Sequence, residues 1–255
     1  MIIFGVMMHE TEKSGARLAA LLIKGVTRRL FLKIAGGMIF MAGVSSSVYA
    51  FFIDRLPERT VEKGKFKFNT DTGRIEWEDG KKEEYRLVVD GLVKSAKSFS
   101  YEDLKSLPQV DQISDFHCVE GWSVKDIRWG GFRFKEIISR VEPEPRATHI
   151  VFHSFGKTGS APKGQGHYIE SFPIDELLEP EREIIFTLRM NNNPLPEEHG
   201  APLRLISPYD LAYKSIKFMS RIEFIRGEQP GWWTLANPIY PIKAMVPANR
   251  LRKRD

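Results

Sequence analysis

Residues 115–138 read DFHCVEGWSVKDIRWGGFRFKEII, and Cys118 within them is the single cysteine of the 255-residue chain. One cysteine cannot form an internal disulfide, so its thiol must serve another purpose. The residues alone leave three uses open: a small buried hydrophobic side chain, a nucleophile activated by a base, or a thiolate ligand of a soft metal. The compartment and the flanking residues bear on the choice.

The N-terminal residues have the order of an export signal. Residues 27–33 read TRRLFLK and place paired arginines before an uncharged apolar run, residues 34–53. A basic segment, an apolar segment and a small residue such as Ala50 are typical of a secretory signal, and the paired arginines are typical of the twin-arginine type. The run could also cross a bilayer core of about 30 Å as a helix. We therefore expect residues 1–53 to form a twin-arginine signal, either cleaved or retained as an anchor helix.

This signal predicts the location of the rest of the chain. The twin-arginine export machinery would be a partner, and the basic residues before the apolar run would stay in the cytoplasm. The folded part would then lie outside the cytoplasm, in the periplasm or on the extracytoplasmic face of the inner membrane.

The net charge of +5 originates at the two ends of the chain. Residues 1–50 carry +4 and residues 250–255, RLRKRD, carry +3, which leaves −2 for residues 51–249. The basic isoelectric point therefore does not indicate a nucleic-acid-binding surface, and no helix-turn-helix or zinc-finger spacing occurs. We predict no nucleic-acid partner.

Residues 84–249 are predicted to form a single domain. The polar stretch 54–83 precedes it as a spacer or arm, and residues 250–255 follow it as a basic tail. Alternating apolar residues, turn residues and short amphipathic stretches predict an α+β fold that is rich in strands and has short peripheral helices. The element patterns are strands at 85–93, 149–155 and the start of 183–196, and helices at 100–108, 134–141 and shortly after 166.

The cysteine segment resembles the molybdenum-binding segment of the sulfite oxidase family, and most closely the branch that contains the periplasmic methionine sulfoxide reductase catalytic subunit. The matching positions are Cys118, Val119, Glu120, Trp122, Ser123, Trp129 and Gly131. The resemblance covers about residues 84–249 and implies a mixed, β-rich sulfite-oxidase-type fold with molybdenum and molybdopterin as cofactors. It also implies that Cys118 is the sole protein ligand of the metal. A thiolate suits a soft metal, and coordination would protect the thiol from oxidation.

A second stretch, EEHGAPLRLISPYDLAYKSIKFMSRIEF at residues 197–224, resembles the segment with which this family holds the pterin and its phosphate. The resemblance implies that His199, Arg204, Ser215 and Lys217 bind the cofactor. Arg204 offers a planar fork for phosphate oxygens, Lys217 offers a point charge, and the amides near Ser215 could form an anion nest. Taken without the resemblance, the stretch favours a basic strand edge over a cofactor clamp.

Two further residues join the cofactor-binding set. Ser154, at the end of the predicted strand 149–155, is the candidate for a contact with the pterin, ahead of its neighbour His153. His117 lies directly before Cys118. If this segment is a strand, the two side chains point to opposite faces, which places His117 badly as a base for a Cys118 nucleophile.

The resemblance implies an oxidoreductase that transfers an oxygen atom between water and a small substrate. The reaction would be reduction of an S-oxide or N-oxide, or oxidation of a sulfite-type substrate. Cys118 and Glu120 are the candidate catalytic residues, with Glu120 as a proton carrier or as a group that orients the centre; alternatively, Glu120 makes a hydrogen bond away from the pocket. A separate electron-transfer partner, a haem protein or a membrane subunit, is implied. The competing hypothesis is a membrane-tethered binding or assembly domain that keeps the fold without catalysis.

Overall fold

The computed structural model describes residues 62–63 and 66–252 of the chain. The strands in this part of the chain are β1 (Glu62–Lys63), β2 (Phe66–Asn69), β3 (Arg74–Trp77), β4 (Lys82–Glu84), β5 (Arg86–Gly91), β6 (Lys97–Ser100), β7 (Val110–His117), β8 (Ser123–Phe132), β9 (His149–Ser154), β10 (Lys157–Thr158), β11 (Ile169–Pro173), β12 (Ile185–Met190), β13 (Asn193–Pro194), β14 (Arg204–Ile206) and β15 (Met219–Ile225).

The helices are short and lie between strands. The α-helices are α1 (Tyr101–Ser106), α2 (Lys135–Val141), α3 (Ile174–Leu178) and α4 (Trp232–Ala236). Single 3₁₀ turns cover Pro162–Gly164, Pro180–Arg182, Glu197–His199, Ala212–Lys214 and Ala248–Arg250. The prediction of a mixed, strand-rich domain with short helices is confirmed for the described residues.

The first large sheet has the strand order β11-β9-β15-β5-β6. β15 and β5 run parallel, and the other neighbours are antiparallel. β5 alternates as predicted: Leu87 and Val89 are fully buried, whereas Val88 between them is exposed. The buried face of this sheet contributes to the larger of two hydrophobic clusters.

The second large sheet has the strand order β13-β12-β8-β7, with β14 paired to the other end of β12. β7 and β8 form a long antiparallel hairpin. Gly131 on β8 pairs with Thr187 on β12, and a Cβ at this glycine would overlap the carbonyl oxygen of Phe186. The glycine therefore permits the close approach of the two strands that fixes the hairpin on the sheet.

Most of the segment expected to be a polar arm is structured. β2, β3 and β4 form a three-stranded antiparallel sheet, and Phe66 and Ile75 within it are buried in the larger hydrophobic cluster. The backbone amide of Phe68 also donates to Glu197 Oε2 at 3.1 Å. Ordered strands and core residues thus begin well before residue 84, because every second residue of β2 and of β3 is apolar.

Local sequence signals set the boundaries of several elements. Ser100 caps α1, because its hydroxyl accepts from the Asp103 amide and the Asp103 carboxylate accepts from the Ser100 amide. α2 buries Ile137 and Val141, as its stripe predicts. In the hairpin turn after β12, Asn191 and Asn192 have positive φ, a conformation that asparagine tolerates.

Strand β11 was not predicted, because two of its five residues are polar and nevertheless buried. Glu170 is 1% exposed and pairs with Lys214 Nζ at 2.8 Å; Lys214 also donates to the carbonyl of Ser171 at 2.6 Å. Burial raises the pKa of Glu170, and the charge of Lys214 opposes this shift. The ion pair with Lys214, which is distant in sequence, therefore allows Glu170 to be buried. The strand consequently lacks the apolar–polar alternation by which it could have been predicted.

The predicted signal or anchor, residues 1–53, lies outside the described residues. Within residues 62–63 and 66–252, no helix is both long enough and apolar enough to cross a membrane.

The close approach at Gly131 gives a stability prediction. We expect Gly131→Ala to lower the free energy of unfolding by about 3 kcal/mol, because the added methyl group must displace the backbone of β12. Gly166→Ala is the matched control, since a Cβ there would meet no atom within 4 Å; it should change stability by no more than about 0.5 kcal/mol. Urea denaturation of both variants measures the change in the free energy of unfolding. Equal changes in the two variants would contradict the prediction, because they would show that the close approach of β8 and β12 does not require a glycine at position 131.

Candidate functional site

Cys118 lies at the end of β7, where the hairpin turns back into β8. His117 pairs with Ser123, so residues 118–122 form the connecting turn. The Cys118 amide donates to the carbonyl of Trp122 at 2.9 Å, and the Gly121 amide donates to the carbonyl of Cys118 at 3.2 Å. Gly121 has a φ of +96°, which favours glycine. The turn therefore holds the thiol at the rigid end of a strand pair.

The thiol of Cys118 is free and half-buried. Burial raises the pKa of the Cys118 thiol, so the isolated side chain stays protonated at neutral pH. A bound metal would have to displace this proton. Within the described part of the chain, no group of three or more His, Cys, Asp or Glu side chains is arranged to hold a metal ion.

The two neighbours of Cys118 that were predicted as site residues differ in exposure. Glu120 is exposed at the tip of the turn, and its Oε2 accepts a hydrogen bond from Trp122 Nε1 at 3.2 Å. His117 is 3% exposed, and its Nδ1 lies 2.8 Å from Ser123 Oγ across the hairpin. The ring of His117 is thus held against the opposite strand.

The predicted cofactor clamp is formed by two segments that lie side by side. Phe218 donates from its amide to the carbonyl of Gly200 at 3.0 Å, and Leu205 donates to Ile216 at 3.0 Å. Gly200 has a φ of +113°, and a Cβ there would lie 2.9 Å from the Lys217 side chain. This contact brings His199 and Lys217 together although eighteen positions separate them in the sequence.

Arg204 connects this clamp to the cysteine hairpin. Its side chain is 1% exposed, and its Nη1 donates to the carbonyl of His199 at 2.9 Å. The guanidinium carbon lies 4.9 Å from the ring centroid of Phe116 and 5.7 Å from that of Trp129. Because Phe116 is two residues before Cys118 on β7, the cation links the two halves of the predicted site.

Three buried polar atoms in this region have no hydrogen-bond partner among the described residues: Ser154 Oγ, His199 Nδ1 and Trp129 Nε1. Buried polar groups are normally satisfied, so such atoms indicate a missing ligand or water. Ser154 also pairs with Met219, two residues after Lys217, which places it beside the clamp. A polar, hydrogen-bonding cofactor such as a pterin fits this set of donors and acceptors.

Lys217 and Ser215 are both buried, at 7% and 5% exposure. Lys217 Nζ donates to the carbonyl of Glu198 at 2.7 Å. The amides of Ser215 and Ile216 donate to the carbonyls of Ala212 and Lys214. These two amides are therefore occupied in this structure, and the positive charge of the clamp comes from the side chains of Arg204 and Lys217.

The positive charge of the clamp perturbs the histidine within it. Burial, and then the charges of Arg204 and Lys217, lower the pKa of His199 to about 4. His199 is thus neutral at pH 7 and can serve as donor or acceptor, while Arg204 and Lys217 provide the positive charge.

Sequence reasoning did not single out Phe116 and Trp129 as residues that position the site. Trp129 was named only as a matching position of the family motif and Phe116 was not named, and both belong to the smaller hydrophobic cluster. Phe116 lies on β7 and Trp129 on β8, and only the fold shows that Arg204 lies against both rings. A second unexpected contact is made by Arg250, which reaches the cysteine turn from the C-terminal segment.

The sequence of this chain matches a known protein family. Residues 73–233 match the family described as "Oxidoreductase molybdopterin binding domain". The chain is 36% identical over 160 residues to the protein-methionine-sulfoxide reductase catalytic subunit of Ralstonia nicotianae, an alignment that covers 60% of this chain and 47% of that protein. It is 32% identical over 193 residues to the same subunit of Pseudomonas syringae pv. tomato, covering 71% of this chain and 56% of that protein.

A solved structure shares the fold. The sulfane dehydrogenase SoxCD from Paracoccus pantotrophus superposes with a TM-score of 0.52 at 17% identity, covering 69% of this chain and 46% of that one. At this identity the likeness shows the fold alone. The chain also spans only about half the length of the two curated relatives named above.

The lowered pKa of His199 makes stability depend on pH. The folded protein binds this proton more weakly than the unfolded chain does, so stability falls as the pH drops from about 6.5 towards 4. We expect the metal-free wild type to lose about 1–2 kcal/mol relative to His199→Gln over this range, after allowance for partial exposure. Chemical denaturation of both proteins at several pH values measures the effect. A stability difference that does not change with pH would contradict the assignment.

Proposed function

Because the chain belongs to the oxidoreductase molybdopterin binding domain family, the sulfite oxidase family, we propose that it is a molybdenum-dependent oxidoreductase that removes an oxygen atom from a small S-oxide. The observation that carries this proposal is the juxtaposition of Cys118 with the positively charged clamp through Arg204. N-oxide reduction and sulfite-type oxidation are the related reactions that the same site could perform.

Different residues would hold the metal, the phosphate and the pterin of the cofactor. Cys118 would bind molybdenum as a thiolate, the soft ligand type that such a metal accepts. Arg204 and Lys217 would hold the phosphate of molybdopterin, one as a planar fork and the other as a point charge. Ser154 and His199 would use their unsatisfied Oγ and Nδ1 atoms for the pterin. When bound, molybdenum supplies the centre at which an oxygen atom passes between substrate and water.

The turn residues would control access and proton delivery. Val119 is 41% exposed directly beside Cys118, and Trp122 is half-buried at the other end of the turn. Together they offer apolar contacts to the carbon substituents of an S-oxide. The exposed carboxylate of Glu120, oriented by Trp122 Nε1, would carry a proton between solvent and the site.

The relatives named above favour reduction as the direction of the reaction and a sulfoxide as the substrate. Two of them are described as protein-methionine-sulfoxide reductase catalytic subunits, which supports reduction of a sulfoxide. The word "subunit" supports a separate partner, and we propose a haem protein or a membrane subunit as the electron donor. Export through the twin-arginine machinery and a site of action outside the cytoplasm belong to the same proposal, on the evidence of the residue 27–33 motif.

Substitution of the proposed metal ligand tests the proposal. Protein from a host that makes molybdopterin should contain molybdenum and reduce at least one compound in a panel of S-oxides, N-oxides and sulfite, assayed with artificial electron donors and acceptors. Cys118→Ser should lower turnover at least about 100-fold, because the metal loses its protein thiolate. Metal analysis and turnover of both proteins, purified in parallel, measure the two effects.

The alternatives predict different results. A wild type without molybdenum from such a host would favour a non-catalytic binding or assembly domain. Turnover by metal-free protein that is abolished by alkylation would instead indicate a thiol enzyme. Full activity and full molybdenum content in Cys118→Ser would show that the ligand assignment is wrong.

A further inference from the structure

The C-terminal segment is anchored beside the cofactor clamp. The amide of Leu211 donates to the carbonyl of Ala244 at 2.7 Å, and the amide of Val246 donates to the carbonyl of Tyr209 at 2.9 Å. Ala244 and Val246 are 1% and 4% exposed. We call residues 244–252 the strap. It is attached to the loop that lies between Arg204 and the Ser215 end of the clamp, and it lies beyond residue 233, where the family match ends.

The far end of the strap places one arginine on the cysteine turn. Arg250 Nη1 donates to the carbonyl of Cys118 at 2.9 Å. Arg250 Nη2 donates to the carbonyl of Trp122 at 2.7 Å and to Ser123 Oγ at 3.1 Å. One planar guanidinium therefore holds both ends of the turn at once, with a geometry that a lysine ammonium cannot reproduce in full.

A second arginine of the strap holds the body of the same hairpin. Arg252 Nε donates to Asp115 Oδ2 at 2.9 Å, and its Nη2 lies 2.6 Å from Asp126 Oδ1. Asp115 is on β7, whereas Asp126 is on β8 at a φ of 58°. Burial opposes ionisation of Asp115, but the hydrogen bonds from Arg252 and from the Asp126 amide lower its pKa overall. Arg252 thus bridges the two strands, and its partner on β7 lies three residues before Cys118.

These contacts join both halves of the site through one piece of chain. The strap is fixed at Tyr209 and Leu211 on the clamp side and at Cys118 and Trp122 on the hairpin side. The two contacts of Arg250 with the turn carbonyls span 132 and 128 positions in the sequence. The carbonyl of Cys118 accepts from both Gly121 and Arg250, so the backbone of the proposed ligand residue is held from within the turn and from outside it.

We propose that Arg250 is a positioning residue for the metal-ligating cysteine. It fixes the Cys118–Trp122 turn relative to the cofactor clamp, and its positive charge beside the ligand backbone favours the more reduced state of the metal centre. Arg252 supports the same arrangement through the hairpin strands. Arg250 and Arg252, the two described arginines of the predicted basic tail, therefore contact the cysteine hairpin. This inference rests on the proposed function for its redox consequence, but not for its effect on the turn.

The test compares Arg250→Gln, Arg250→Lys and the control Arg226→Gln in the full chain. Arg226 is an exposed arginine near the end of β15, so its substitution removes the same charge away from the turn. In metal-free protein, hydrogen–deuterium exchange in peptides covering residues 116–123 should accelerate about tenfold or more in Arg250→Gln, because the outer donors of the turn are lost. Arg250→Lys should be intermediate, and Arg226→Gln should match the wild type.

Molybdenum-loaded protein gives the second readout. Arg250→Gln should change the electron paramagnetic resonance spectrum of the metal and lower its midpoint potential, with partial recovery in Arg250→Lys. A general loss of folding would instead accelerate exchange throughout the domain; in that case the milder Arg250→Lys, which keeps the charge, must still accelerate exchange in residues 116–123 selectively. Wild-type exchange in this turn, or an unchanged spectrum and potential in Arg250→Gln, overturns the inference. If the wild type takes up no molybdenum, the proposed function fails, while the exchange comparison still decides the role of Arg250 in the turn.

Discussion

The buried guanidinium of Arg204 is the interaction on which the candidate site depends. Burying a cation is costly unless hydrogen bonds and polarisable neighbours compensate for the lost water. Here the carbonyl of His199 accepts from Arg204, and the rings of Phe116 and Trp129 lie close to its charge. These partners come from three separate segments, so a fold that buries Arg204 in this way must also bring the cysteine hairpin to the clamp. Gly131 and Gly200 permit the two close backbone approaches that the arrangement requires.

Much of the local structure was readable from the sequence, because short-range rules determine it. The capping box at Ser100, the stripe of α2 and the alternation in β5 are each set by residues within a few positions of one another. The prediction was incomplete where contacts between residues distant in sequence determine the secondary structure. β11 is a strand with buried polar residues because Lys214, 44 positions after Glu170, neutralises it. In β2 and β3, charged and polar residues obscured the apolar residues that alternate with them.

The candidate site was likewise only partly predictable from the sequence. The resemblance of two short stretches to a known family indicated Cys118, His199, Arg204, Ser215 and Lys217, and Ser154 was added from the end of a predicted strand. In the structure His199, Arg204 and Lys217 lie side by side. The contribution of Phe116, Trp129 and Arg250 follows from contacts across strands or across more than a hundred residues, for which one sequence carries no local signal. The amides near Ser215 show the converse, since a plausible anion nest is already bonded within the fold. Family membership therefore defines the cofactor, while the chain's own long-range contacts define how the cofactor would be held.

Molybdenum X-ray absorption spectroscopy of the loaded protein tests the central claim, that the sulfur of Cys118 is a ligand of the metal. The fitted number of sulfur neighbours should be one lower in Cys118→Ser than in the wild type, with the sulfurs contributed by the pterin retained in both. An identical sulfur shell in the two proteins would contradict the account, because the metal would then be bound without Cys118.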